Sequence, residues 1–95
     1  MMPPDKLLTN PIRLAVVAYL NQVAAADFIA LQNVTEASKG NLSIQLKKLQ
    51  EAGYIIVKKS FKKNYPHTRC LLTSKGHQAL EKHVAYLKKI LDIDT

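Results

Sequence analysis

Ninety-five residues make one small domain and leave no room for two. Hydrophobic residues form 47% of the chain and charged ones 22%, a globular balance, and three glycines with four prolines are too few turn residues for an all-β fold. Fourteen Lys and Arg against seven Asp and Glu give a net charge of +7, which favours a polyanionic partner, most often nucleic acid, over a neutral substrate.

Residues 1–4 read as a loose end and 5–9 as a short helical turn. Asn10 is placed to cap a helix whose first position is Pro11, where a missing N–H costs nothing. Ile12, Leu14, Val16, Val17 and Leu20 give that helix a broad apolar face and carry it to about Gln22. Asp27 is the next cap, for a short helix through Phe28, Ile29, Leu31 and Val34, and Thr35-Glu36-Ala37 reads as a tight connection. Ser38 then caps a third helix over 39–52, and Gly53 is its left-handed stop.

After Gly53 the period changes. Tyr54-Ile55-Ile56-Val57 is rich in β-branched residues and predicts a strand extended by 58–61. Residues 62–66 predict a hairpin tip and 67–72 the return strand, and Thr73 caps a last helix from 74 to about 92. The order α-α-α-β-β-α, mainly helical with a small hairpin, is the winged helix-turn-helix plan. One domain over 1–95 then consists of a winged body (10–73) and a C-terminal helix (74–92).

The charge follows this division. Residues 1–36 hold two basic and three acidic groups, 37–71 eight basic and one acidic, and 72–95 four basic and three acidic. The whole excess lies on the third helix and the hairpin. In that helix Leu42, Leu46 and Leu49 share a face that should bury against the first two helices. At about 100° per residue the opposite face carries Gly40, Ile44, Lys47 and Glu51, flanked by Ser43 and Lys48. Ser38, Lys39, Asn41 and Ser43 lie in the first turns, where free N–H groups and the positive dipole end favour phosphate. Asn41 suits an adenine edge or a phosphate, Ile44 a thymine methyl, and Gly40 a close backbone approach.

The hairpin carries Lys58, Lys59, Lys62, Lys63, His67 and Arg69. Lysines on short edge strands also deter aggregation, and a lysine-rich helix face is often only a solvated one. Lys62 and Lys63 exceed that need. The expected DNA-binding set is therefore Ser38, Lys39, Gly40, Asn41, Ser43, Ile44, Lys47, Lys48, Lys62, Lys63, His67 and Arg69.

In the last helix Leu80, Val84, Leu87 and Leu91 are spaced four, three and four apart, the pattern of a dimer seam, widened by Tyr86, Ile90 and Ile93. The alternative is packing on the chain's own first helix. The helix extends well past the winged body, which favours a second copy.

No glycine-rich phosphate loop, zinc spacing or Cys–His nucleophile pair is legible, so no enzyme, cofactor or metal is expected. His77 and His83 lie about 240° apart on a helix and do not share one metal from the same chain; a site across a dimer using Glu81 stays open. Cys70 lies in an apolar strand and reads as a buried small residue rather than a redox switch. No apolar run is long enough to span a bilayer. Lys6, Arg13, the run 14–20 and Ala24-Ala25-Ala26 imitate a secretory signal, but Asp5 and Asn21-Gln22 interrupt it. With a single cysteine, the chain is expected in the cytoplasm, without a membrane partner. Any small-molecule effector would bind at a dimer interface or on the surface.

These residues resemble a known family. Asn10-Pro11-Ile12-Arg13-Leu14, Asp27-Phe28, Lys39-Gly40-Asn41-Leu42-Ser43, the run from Leu46 to Ile55, Lys59-Ser60-Phe61 and Leu72-Thr73-Ser74-Lys75-Gly76 are similar to small stand-alone winged-helix transcriptional regulators, compact cousins of the MarR and ArsR repressors. The resemblance covers about residues 9 to 81. It implies a cytoplasmic homodimer that binds double-stranded DNA through the helix beginning at Ser38 and through the wing. Glu36 departs from it, standing where relatives often have glycine; His67 stands where they often have arginine, and Leu71 at a commonly polar site. The rival readings are a winged helix that binds an acidic protein and one that binds RNA.

Overall fold

Asn10 Oδ1 accepts from the backbone N–H groups of Ile12 and Arg13 at 2.9 and 3.0 Å and starts α1 (Pro11–Val23), with Pro11 in the first turn. The computed structural model describes residues 3–93. Asp27 Oδ1 accepts from Ala30 N–H at 2.8 Å and starts α2 (Phe28–Thr35). Ser38 Oγ accepts from Asn41 N–H at 3.1 Å and starts α3 (Lys39–Glu51). Thr73 Oγ1 accepts from Gly76 N–H at 3.0 Å and starts α4 (Ser74–Leu91). Each cap satisfies a donor that a helix start leaves open.

Gly53 ends α3 as the spacing predicts. Its φ is +80°, its N–H reaches Gln50 O at 2.9 Å, and Tyr54 N–H reaches Leu49 O at 3.0 Å. That pair of bonds is a Schellman cap, which needs a residue at ease with positive φ.

The strands form a three-stranded antiparallel sheet in the order β1-β3-β2. Strands β2 (Ile55–Lys62) and β3 (Tyr65–Leu72) pair from Ile55↔Leu72 to Lys62↔Tyr65. The tip is therefore tighter than residues 62–66. Only Lys63 and Asn64 turn, at φ 52° and 67°, and Tyr65 and Pro66 belong to the return strand. Two left-handed residues in succession match the right-handed twist of the strands they join.

The strand β1 (Ala25–Asp27) is absent from the sequence reading. Ala25, Ala26 and Asp27 have weak strand preference, and only their pairing with Leu71, Cys70 and Arg69 makes them a strand. Asp27 serves twice, closing β1 and capping α2. The turn expected over residues 5–9 is present and packs into the core: Leu8 is fully buried, and Asp5 Oδ1 accepts from Leu7 and Leu8 N–H at 2.9 and 3.1 Å. Met1 and Met2 lie outside the described residues.

The core gathers Leu8, Val16, Val17, Leu20, Leu31, Leu42, Leu46, Leu49, Ile55, Cys70 and Leu80 from every helix and the sheet. Leu42 and Leu49 are fully buried, each stabilising the fold by about 1.5–3 kcal/mol relative to exposure. They fix which face of α3 is left to solvent.

Two consequences can be measured. Cys70 is fully buried, and burial pushes its thiol up to about 11 from the ordinary 9.0. At neutral pH it stays protonated and out of reach, so Ellman's reagent should titrate no thiol until the protein is unfolded; rapid stoichiometric reaction of the native chain would contradict this. Glu36 holds φ 55° and ψ 21° at the end of α2, the left-handed region where the family resemblance places glycine. Relief of that strain, set against the greater ordering cost of glycine, predicts that Glu36→Gly stabilises the fold by about 0.5–1 kcal/mol, seen as a higher urea midpoint. A lower midpoint would show that the glutamate side chain contributes more than its backbone costs.

Candidate nucleic-acid interface

Burial of Leu42, Leu46 and Leu49 turns Lys39, Gly40, Asn41, Ser43, Ile44, Lys47 and Lys48 outward, and all seven are exposed. Ile44 is 55% exposed, an apolar group on a wet face. A Cβ built on Gly40 meets nothing within 4 Å, so the open space there belongs to whatever approaches α3. Ser38, also exposed, is engaged as the helix cap.

Gln45 departs from the apolar stripe. It sits between Leu42 and Leu46 on the buried face and is only 8% exposed. Its Oε1 accepts from Arg13 Nη1 at 2.5 Å, and its Nε2 donates to Asn41 Oδ1 at 3.0 Å. Arg13 is itself anchored, its Nε donating to Leu7 O at 2.7 Å. A bonded chain thus runs from the N-terminal turn through α1 to an exposed amide on α3. Sequence reasoning missed Arg13 and Gln45. A polar residue at a buried position was the available signal, but its partner is 32 residues away.

Register sorts the wing residues by face. Cys70 is buried, so Val57, Lys59, Phe61, Pro66 and Thr68 share its side of the ribbon, while Ile56, Lys58, Lys62, Tyr65, His67 and Arg69 lie on the other. Ser43, Lys47 and Gln50 of α3 face Val57, Lys59 and Thr68 across a groove of about 430 Å³. The helix and the wing therefore border one shared concavity. Lys62 and Lys63 are exposed at the tip, between Phe61 and Tyr65, which are 79% and 75% exposed.

His67 is placed differently from the lysines. It is half-buried, with Nε2 3.7 Å from Asp27 Oδ2, so it sits on the wing stem against the cap of α2. Arg69 is exposed and pairs in register with Asp27 and Lys58.

The apolar stripe of α4 has two fates. Leu80 is 6% exposed and belongs to the chain's own core, and Val84 packs against that core. Leu80 is therefore taken out of the expected seam, because its face of the helix is covered by the body. Leu87 is half-buried, and Ile90, Leu91 and Ile93 are exposed.

The histidines of α4 are kept apart. His77 bonds Asn21 Oδ1 at 2.7 Å and pairs with Glu81 at 2.5 Å. His83 is buried, accepts from Asp5 N–H through Nδ1 at 3.2 Å, and stacks on Tyr86. Tyr54 donates to Asp5 Oδ2 at 2.5 Å; burial, that bond and the carboxylate charge push its hydroxyl up to about 12. A raised value means that stability from this bond is full below the ordinary 10.0 and is lost progressively as pH climbs from there to about 12. Among the described residues no group of three His, Cys, Asp or Glu is placed to hold a metal, and no helix is long and apolar enough to cross a membrane.

Comparison with known proteins agrees with this geometry. An uncharacterized protein of Methanocaldococcus jannaschii is 30% identical over 79 residues, 83% of this chain and 86% of that one. A solved transcriptional regulator homologue from Pyrococcus horikoshii superposes with a TM-score of 0.82 at 27% identity, over 90% of this chain and 85% of that one. A MarR family regulator from Silicibacter pomeroyi shares the fold (TM-score 0.66, 17% identity, 95% of this chain and 65% of that one). So does an ArsR family regulator (0.61, 17%, 95% and 88%). Residues 12–91 match the winged helix DNA-binding domain family, and with the helix-turn-helix and wing in place this chain belongs to it.

Proposed function

We propose that this protein is a cytoplasmic transcriptional regulator that binds double-stranded DNA as a homodimer. α3 lies in the major groove, with Asn41, Ser43, Ile44, Lys47 and Lys48 toward bases and phosphates. The β2–β3 wing lies on the adjacent backbone or minor groove. The observation that carries this reading is the juxtaposition of the exposed, lysine-bearing face of α3 with the lysine-bearing hairpin around one groove. The charge distribution supports it, since the net excess of the chain falls on those two elements. The apolar end of α4 (Leu87, Ile90, Leu91, Ile93) is the proposed contact with the second copy.

A salt titration tests the wing. Phosphate contacts release counterions, so the logarithm of affinity falls linearly with the logarithm of salt. Replacing both Lys62 and Lys63 by alanine should weaken binding to all duplexes alike and flatten the slope by about 0.9 per lost contact. Fluorescence anisotropy of a labelled duplex reads this directly. An unchanged slope would remove the wing tip from the interface.

A further inference from the structure

The chain of bonds from Arg13 to Asn41 has a direction that chemistry imposes. A guanidinium has donors and no acceptor. Whatever faces Arg13 Nη1 must accept, so Gln45 turns its Oε1 to α1. Its Nε2 is then left to point along α3, where it donates to Asn41 Oδ1. Asn41 in turn has its carbonyl oxygen drawn back to the helix and its amino group left outward. One fixed charge on α1 thereby sets the sense of an exposed amide on α3.

We propose that Arg13 and Gln45 are positioning residues that present Asn41 to the duplex as a donor, so that its position selects an acceptor edge, guanine N7 and O6. This deepens the proposed function and rests on its reading that α3 enters the major groove. Adenine is disfavoured at that position. A two-bond pairing with adenine needs the Asn oxygen to accept from the base amino group while its nitrogen donates to N7, and the oxygen is turned toward Gln45. Cytosine offers an amino donor there and meets another donor.

In vitro selection of duplexes by the full chain, with variants, reads the outcome as base identity. The wild type should enrich guanine at one position per half-site, and Asn41→Ala should lose it. Gln45→Glu keeps a partner for Arg13 but has no proton to give Asn41. The Asn41 amide then turns to donate inward and exposes its oxygen, so the selected base should change from guanine to adenine or cytosine. The double variant Arg13→Met/Gln45→Met removes both polar partners at similar volume and frees the amide, so adenine should join guanine. A merely structural role for Gln45 would weaken binding without changing the base. Enrichment of adenine or cytosine by the wild type, or retained guanine in Gln45→Glu, would overturn the proposal. NMR exchange of the side-chain amides tests the relay without DNA: Gln45 Nε2–H should exchange slowly and Asn41 Nδ2–H fast. Equal, fast exchange overturns the relay whatever the chain binds. Failure of the wild type to bind any duplex, with slow Gln45 exchange intact, would instead overturn the DNA reading and with it the guanine assignment.

Discussion

A Leu87→Glu chain is expected to sediment as a monomer at micromolar concentration, to keep its helical content, and to bind its operator about a hundredfold more weakly or worse. Leu87 is half-buried on the stretch of α4 that leaves the body, beside Ile90 at 48%, Leu91 at 61% and Ile93 at 48% exposure. In the free chain a glutamate there reaches water, so folding is little affected. In a dimer it would be buried without a partner, which costs several kcal/mol. Losing the second copy also loses the linked second half-site, which multiplies apparent affinity by about 10²–10⁴. Leu80 would be the wrong residue for this test. It lies in the chain's own core, and changing it would unfold the body rather than separate a dimer. Sedimentation equilibrium decides: a variant that still dimerises, or a wild type that stays monomeric, would show that the apolar end of α4 has another purpose.

The second large effect is on stability. Gly76 is buried in the first turn of α4, against Tyr54 between α3 and β2 and against Leu72 at the end of β3. A Cβ at that position would lie 2.3 Å from the Tyr54 carbonyl oxygen and 2.7 Å from Leu72 Cδ1. The oxygen belongs to backbone that also accepts from Thr73 N–H at 3.0 Å, so it has little freedom to move. Gly76→Ala is expected to cost about 3 kcal/mol, at the upper end of overpacking effects, because α4 must shift off the sheet. Chemical denaturation measures it. A loss below about 0.5 kcal/mol, the size of an ordinary surface change, would show that the helix is not held there.

Local chemistry makes most of the fold legible. Asn10, Asp27, Ser38 and Thr73 announce four helices because a short polar side chain before an apolar period has few other uses, and Gly53 ends α3 for the same kind of local reason. What stays illegible depends on distance. β1 is a strand only because β3 lies beside it. The N-terminal turn is ordered only because Leu8 enters the core and Asp5 meets Tyr54 and His83 from far along the chain. The hairpin tip reads too broadly in the sequence because Pro66 resembles a turn residue, whereas it sits on an edge-facing strand position paired with Phe61.

The candidate site divides in the same way. The outward face of α3 follows from helical period once Leu42, Leu46 and Leu49 are taken as core. The lysines of the wing follow from the hairpin. Arg13 and Gln45 do not, since neither projects from the surface and their bond spans 32 residues. The stripe on α4 looks uniform at spacings of four and three, but only the body divides it into a half that serves the chain's own core and a half left over. The place of His67 beside Asp27, forty residues earlier, is likewise hidden from the sequence.

Hydroxyl-radical footprinting on the best duplex recovered by selection, with structured RNA as competitor, tests the central claim most directly. Two copies joined through α4 would place their α3 helices on one side of the duplex. The account predicts two protected segments about 10 bp apart centre to centre, or a multiple of that, in a pseudo-palindrome, and no displacement by RNA. A single protected segment, or a protein stripped from duplex DNA by RNA, would contradict it.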